Sequence, residues 1–483
     1  MLALLVSLSI TQALRFSPDS MHYLDISTTL AQERHYATYH LNLNSTEIPD
    51  RTLLWPPVYP TLLAIPQVFG IGGVLSARLV GIISVLAIVF ACRALFAVIV
   101  PPGPANLCTI ALLIGLKGMW ILTYALSEAP YMAFVMIFMI CSARYICNGR
   151  LGWLALASIA GALAFLTRYI GLVLLPVGLV VVLQHQHMVN RPKHVATFTR
   201  CLFFGAIFGA VSCPWILRNL HIVGQPLGPA RPSSTTGFFH NVQLLISTMC
   251  ADIPLILAVL TIGALAVIAA WRKVRSAYMR TMAFQVSFTS CLYIVAYACL
   301  QLILSTLFRF DGINRRLLSP IYFHLMMIAV CIIYFLMAGE GQKPKSIQRW
   351  CGAVLVLAIL YGSLPLSLTE WRILVCGSAP EELPVVDKWI MTNTDENALI
   401  IGNGSWDRRF RTQRVVLESG YPEHPEFTET AIIDFVHKHA HRFSSAYIVC
   451  YAGDAVDNIM GNHPIVFDDG AALLIRRLKL PDR

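Results

Sequence analysis

Charge is scarce in this sequence, and acidic charge is scarcest of all. Only 13% of the 483 residues are charged while 57% are hydrophobic, a balance that excludes an ordinary soluble surface. Metal and redox signatures are missing too, since no CxxC or HExxH occurs. The thirteen cysteines fall mostly within apolar runs, where they read as small core residues rather than a disulfide or zinc framework. Cys376 and Cys450 lie in the polar tail and leave a pairing open. There is no internal repeat of fixed period and no low-complexity segment.

What the sequence does have is long apolar runs, such as "VLSARLVGIISVLAIVFACRALFAVIV" (74–100) and "IPLILAVLTIGALAVIAAW" (253–271). Each approaches or exceeds the roughly 20 residues that cross a bilayer as a helix, and too many recur for a single buried core. The net charge of +10 does not point to nucleic acid, because Lys and Arg gather in short loops. These hold Arg144 and Arg150, Arg191 to Arg200, "RKVRSAYMR" (272–280) and "GEGQKPKSIQR" (339–349). That clustering is the signature of cytoplasmic loops.

Holding those loops inside predicts spans near 1–15, 73–99, 105–125, 128–147, 151–168, 169–186, 200–218, 253–271, 282–306, 317–338 and 350–369. The N-terminus then lies inside, and residues near 35, 230, 312 and 420 lie outside. The first span is short and leaves open a cleaved signal sequence or a start further upstream. The composition changes after about 370, where 17 of the 26 acids are found. There "NALIIGNG" (397–404), "SAYIVCYAG" (445–453) and "AALLIRRLKL" (471–480) read as strands, and "ETAIIDFVHKHAHRF" (429–443) as a helix. The expected architecture is a polytopic α-helical membrane protein of about 11 transmembrane helices over 1–370, with a first outer loop at 16–72. A soluble extracytoplasmic α/β domain follows over 371–483.

The other nine acids are the informative ones. Asp19, Asp25, Glu33, Glu47 and Asp50 lie in the first outer loop, Glu128 opens a span, Asp252 precedes one, and Asp311 lies between two. Only Glu340 falls inside, which is too lopsided for solvation alone. Arg168 in "FLTRYIGL", Arg218 in "PWILRNLHIVGQP", and Arg309, Arg315 and Arg316 in "RFDGINRRLLSP" join them at outer span ends. Any single arginine of this kind can snorkel to lipid headgroups. Snorkelling does not bring three span ends together beside sparse acids, and charge at such depth marks a site. Arginine forks bind phosphate oxygens, and a nearby carboxylate can take a proton from an acceptor hydroxyl or hold a divalent cation. This chemistry suits transfer from a lipid-phosphate donor.

The order of these segments resembles the GT-C superfamily of polyprenyl-phosphate-sugar-dependent glycosyltransferases. Within it the likeness is to the branch (families 39 and 83) of protein O-mannosyltransferases and lipid A aminoarabinose transferases. Asp19 and Tyr23 in "PDSMHYLDIS" stand where that family has a catalytic aspartate followed by an aromatic residue. "LLWPPVYPTLLA" (53–64), with Tyr59, matches its Pro-Pro turn, and Glu128 in "ALSEAPYMAF" matches a second acid opening the fourth span. The resemblance implies Asp19 and Glu128 as catalytic, and Tyr23, Tyr59, Arg168, Arg218, Arg315 and Arg316 as substrate-binding. It also implies a polyprenyl-phosphate sugar as donor, a lipid, glycan or protein as acceptor, and an inverting step at the extracytoplasmic face of the cell's inner membrane. Two departures stand out. Ser20 follows Asp19 where the family has an Asp-Glu pair, and Trp55 occupies a position that is lysine in the aminoarabinose transferases.

Asp19 also suits a helix N-cap, and Glu128 a first helical turn where an acid gains from the dipole. A secondary transporter or flippase for an anionic lipid or solute is the alternative from another class. It calls for midplane charges and two related halves, whereas these charges sit at span ends.

Overall fold

Uninterrupted apolar residues with few β-branched clusters favour helices, and in a bilayer helices satisfy every backbone group internally. The computed structural model describes 17–41, 47–51, 55–99, 125–188, 194–229, 233–252, 282–308, 313–328, 385–402, 414–418, 429–451, 463–468 and 473–478, less a few positions within those ranges and with a few isolated ones outside them. The first outer loop supplies helices α1 (Pro18–Glu33) and α2 (Val58–Val68), separated by the short strand β1 (His40–Leu41). There follow α3 (Gly73–Ile99), α4 (Glu128–Asn148), α5 (Leu151–Thr167), a 3-10 turn (Tyr169–Val173) and α6 (Leu174–Met188). The bundle continues with α7 (His194–Val223), α8 (Phe238–Asp252) and α9 (Met282–Leu307).

Five helices among the described residues are long and apolar enough to cross a membrane: Gly73–Val98, Glu128–Asn148, Tyr169–Met188, His194–Val223 and Phe284–Leu307. Leu151–Thr167 is a shorter apolar helix. Helices therefore stand at the expected spans 73–99, 128–147, 151–168, 169–186, 200–218 and 282–306. The fifth of these differs most, because the helix continues beyond the apolar run at both ends, from His194 to Val223. A further helix begins at 316 and is described in part to 328, within the expected span 317–338. The expected spans 1–15, 253–271 and 350–369, and nearly all of 105–125, lie outside the described residues, as does the Cys376–Cys450 pairing.

Large side chains fill the bundle, with Tyr131, Phe138, Tyr145, Phe165, Phe204 and Tyr293 all fully buried. Gly178 of α6 lets the Phe204 ring of α7 lie against its backbone, because a Cβ there would overlap the ring. Small residues are the usual means of close helix approach in membranes.

The tail forms strands within the three segments that read as strands in the sequence. A mixed six-stranded sheet runs in the order β1-β3-β2-β4-β6-β5, with β2 (Leu399–Gly402), β3 (Val415–Glu418), β4 (Ala446–Tyr451), β5 (Ile465–Asp468) and β6 (Leu473–Leu478). Helices α10 (Val385–Asn393) and α11 (Glu429–His439) cover it. Val386 and Ile390 pack on one face, and Ile432, Phe435 and Val436 on the other. The edge strand β1 comes from the first outer loop and pairs parallel to β3, His40 against Val416 and Leu41 against Leu417. Leu41 is buried in the sheet's own core, so the first loop and the tail share one sheet.

Gly178→Val forces the Phe204 ring aside and overpacks the α6–α7 contact, costing about 1–3 kcal/mol. Gly209→Ala on α7 meets open space and exchanges glycine for the better helix former. In purified protein the first should lower the thermal midpoint, and the second should leave it unchanged or raise it.

Candidate active site

Ser17 is the N-cap of α1, and it accepts from the Ser20 amide at 3.3 Å while Ser20 Oγ accepts from the Ser17 amide at 3.0 Å. The helix start is thus capped without Asp19, whose carboxylate is left for other contacts. Ser20, where the resembled family has its second acid, is used in the cap. Three charged side chains meet beside Asp19. Arg316 Nη2 donates to Asp19 Oδ2, and Arg316 Nε donates to Glu128 Oε1 at 2.6 Å. Arg168 pairs through Nη1 with the same Glu128 oxygen. Three helix ends supply the groups, the start of α4 for Glu128, the C-cap of α5 for Arg168, and the helix beginning at 316 for Arg316.

Arg168 has extended backbone (φ −149°, ψ 127°), which stops α5 there before the 3-10 turn starts. The Gly171 amide donates to the Arg168 carbonyl at 2.8 Å. A Cβ on Gly171 would lie 2.5 Å from the Phe165 backbone nitrogen, so only glycine lets this turn fold back on α5.

The two acids have different surroundings. The Glu128 side chain is 2% exposed and that of Asp19 is 35% exposed. Glu128 Oε2 is buried, and among the described residues it has no hydrogen-bond partner. Asp19 can therefore meet an incoming molecule, whereas Glu128 holds two guanidiniums from within. The set is balanced, with two positive and two negative groups. Arginines pair with both acids. Among the described residues no three His, Cys, Asp or Glu side chains group as metal ligands.

An aromatic wall stands beside Asp19. Tyr23 and Ser127 share a hydrogen bond through their hydroxyls at 3.1 Å. Tyr23 meets Tyr59 edge-on at 4.9 Å, and His22 stacks on Trp55 at 4.0 Å. Burial, and after it the charge of Asp19, pushes the Tyr23 phenol above its ordinary value, which keeps the hydroxyl protonated.

The sequence-derived candidates divide accordingly. Asp19, Glu128, Arg168, Arg316, Tyr23 and Tyr59 come together. Arg218 lies apart from the carboxylates, with Nη2 donating to the carbonyls of Tyr36 (3.1 Å) and Arg51 (3.0 Å) and its guanidinium over the Trp215 ring. In this arrangement it ties the first loop down. Arg315, Arg309 and Asp311 lie outside the described residues. Asp25 of the first outer loop is a buried acceptor that orders the segment before β1. No local signal marks it, since its partners lie 13 and 14 residues away.

No family model matches the sequence, and no curated protein does. Solved structures do match. ArnT from Cupriavidus metallidurans bound to undecaprenyl phosphate is 13% identical, with a TM-score of 0.61 over 98% of this chain and 97% of that one. The archaeal oligosaccharyltransferase AglB from Archaeoglobus fulgidus, in complex with an inhibitory peptide and a dolichol-phosphate, is 9% identical, with a TM-score of 0.54 over 92% of this chain and 68% of that one. Arabinofuranosyltransferase AftD from Mycobacteria is 14% identical, with a TM-score of 0.57 over 100% of this chain and 41% of that one. These likenesses show a fold shared with those three proteins.

Replacing Glu128 with glutamine leaves two largely buried guanidiniums facing an amide. Removing one partner of a buried ion pair costs about 3–5 kcal/mol. Glu128→Gln should accordingly lower the thermal midpoint markedly, whereas Glu47→Gln, which loosens an exposed pair with Arg51 at 3.7 Å, should leave it in place.

Proposed function

We propose that this chain is a membrane glycosyltransferase that moves a sugar from a polyprenyl-phosphate donor to an acceptor hydroxyl, with inversion. One observation carries this reading: a part-buried Arg316 guanidinium bridges an accessible carboxylate and a buried one at the meeting of three helix ends. Two arginines beside each other suit the oxygens of a phosphate. The fold adds support, since it is shared with a protein seen with undecaprenyl phosphate and another seen with a dolichol-phosphate.

In the proposed step the donor phosphate accepts hydrogen bonds from the Arg168 and Arg316 guanidiniums and displaces Asp19 from Arg316. The acceptor oxygen attacks the anomeric carbon from the face opposite the phosphate. A carbon–oxygen bond forms there as the carbon–oxygen bond to phosphate breaks, with the electron pair leaving on the lipid phosphate. The hydroxyl proton passes to Asp19, which acts as general base. Glu128 stays within the bundle and keeps both guanidiniums aimed at the departing charge. Tyr23 and Tyr59 form the wall against which the substrate rests, and Arg315, adjacent in sequence to Arg316, is a further candidate for the phosphate. The acceptor is a lipid, a glycan or a protein.

The site and the sheet face the extracytoplasmic side of the inner membrane in this proposal. Glu128 and Arg150 bracket one helix of 21 residues, which spans about 30 Å. The turn with Arg150 therefore lies about a bilayer's thickness from the charge cluster.

The reading is tested with purified protein and a panel of polyprenyl-phosphate sugars, following loss of the sugar by mass spectrometry. With a turned-over donor in hand, Asp19→Asn should slow the chemical step by roughly 10²–10⁴-fold while the protein stays folded. Undiminished turnover would remove Asp19 as base. Orientation is checked separately with cysteines introduced at 35 and 150. A membrane-impermeant thiol reagent should reach position 35 in intact cells and position 150 only after lysis.

A further inference from the structure

Asp25 lies on the same helix as Asp19, two turns further on, and faces away from the charge cluster into the loop that follows. It is 9% exposed. Its Oδ2 accepts from Thr38 Oγ1 and from the Tyr39 amide, both at 2.6 Å. Such short bonds to an ionised acceptor are the strong kind. Thr38 is itself fixed by a two-way backbone bridge to Asp50, at 2.9 and 2.8 Å. The Tyr39 carbonyl accepts from the Val416 amide at 3.2 Å, and the next two residues are β1, paired with β3.

A continuous chain of contacts thus runs from the tail sheet through Tyr39 and Asp25 into α1, and along α1 to Asp19. The distance along the helix from Asp25 to Asp19 is about 9 Å at 1.5 Å per residue. A hydrogen-bonded helix transmits its seating over that length. Arg218 adds a second tie by holding the Tyr36 and Arg51 carbonyls, so the loop is anchored on both the bundle and the sheet.

We infer that Asp25 is a positioning residue, which seats the Asp19 helix against the C-terminal sheet and so fixes where the base meets the acceptor. The inference rests on the glycosyltransferase reading for its catalytic half only. The mechanical half, a carboxylate joining α1 to the sheet, stands on the geometry. Asp25 Oδ2 is engaged by Thr38 and Tyr39, whereas Arg168, Arg316 and Glu128 come from other elements. Loss of Asp25 should therefore disturb the approach of the acceptor to the base without weakening phosphate binding.

The test uses the full chain in detergent with Asp25→Ala, Thr38→Val and the conservative Thr38→Ser, which keeps the hydroxyl. Misplacing a reacting group by an ångström or so costs on the order of 10²-fold. In Asp25→Ala and Thr38→Val, kcat should fall by about 10- to 100-fold, while the affinity for undecaprenyl phosphate is not weakened. Thr38→Ser should keep both near wild type. Hydrogen–deuterium exchange should rise at 38–41 and 415–418 in the first two variants and stay unchanged over 128–148. If Asp25→Ala fails to fold, Thr38→Val carries the same comparison. Unchanged exchange at 415–418 together with unchanged kcat in a folded variant would overturn the inference. If the wild-type chain turns over no donor in the panel, the glycosyltransferase reading fails by itself. The exchange at 415–418 then decides the coupling alone, with faster exchange upholding it and unchanged exchange overturning it.

Discussion

One guanidinium shared between two carboxylates organises the charged end of this bundle. Arg316 reaches Asp19 of the first loop and Glu128 of α4 with different nitrogens, and Arg168 closes the set from α5. Taking such groups out of water is costly, and only good geometry with matched charge offsets the cost. The helix ends that deliver these residues must therefore stay in register with one another. The Gly171 turn, the extended backbone at Arg168 and the Ser17 cap of α1 are local solutions to that requirement.

The same constraint separates the acids into roles. A buried carboxylate with both arginines attached is poorly placed to accept a proton from an incoming hydroxyl, and it is well placed to hold those arginines. The more exposed carboxylate at the helix start has the reverse character. Balanced charge also lets the cluster stand without a ligand. On the proposed reading an anionic phosphate would compete with Asp19 for Arg316, and that competition would tie arrival of the donor to release of the base.

Much of this was legible from residue order. The helices at 73–99 and 128–147 follow from length and apolarity, and the strands at 399–402, 446–451 and 473–478 from short apolar runs. Asp19, Glu128, Arg168 and Arg316 stood out because charge is rare in the segments around them. Their pairing was not legible, since Arg316 is 297 residues from Asp19 and 188 from Glu128. Arg218 looked the same as Arg168 in sequence, but a guanidinium binds carbonyls as readily as phosphate, and only the fold shows which lies within reach. The two-residue strand at His40–Leu41 is too short for any periodicity to reveal, and Asp25 carries no signal apart from it.

That short strand also bears on the order in which the protein is made. His40 and Leu41 leave the ribosome well before their partners Val416 and Leu417. At ordinary elongation rates the interval is on the order of tens of seconds. Arg316, the partner of Asp19, is 297 residues later. Until these partners emerge the first loop has neither its sheet edge nor its charge partner, and an unpaired strand is a template for the wrong pairing. The helix that bears Asp19 is thus made long before it can be completed. A nascent chain of this protein would hold no finished site until both Arg316 and β3 had been made.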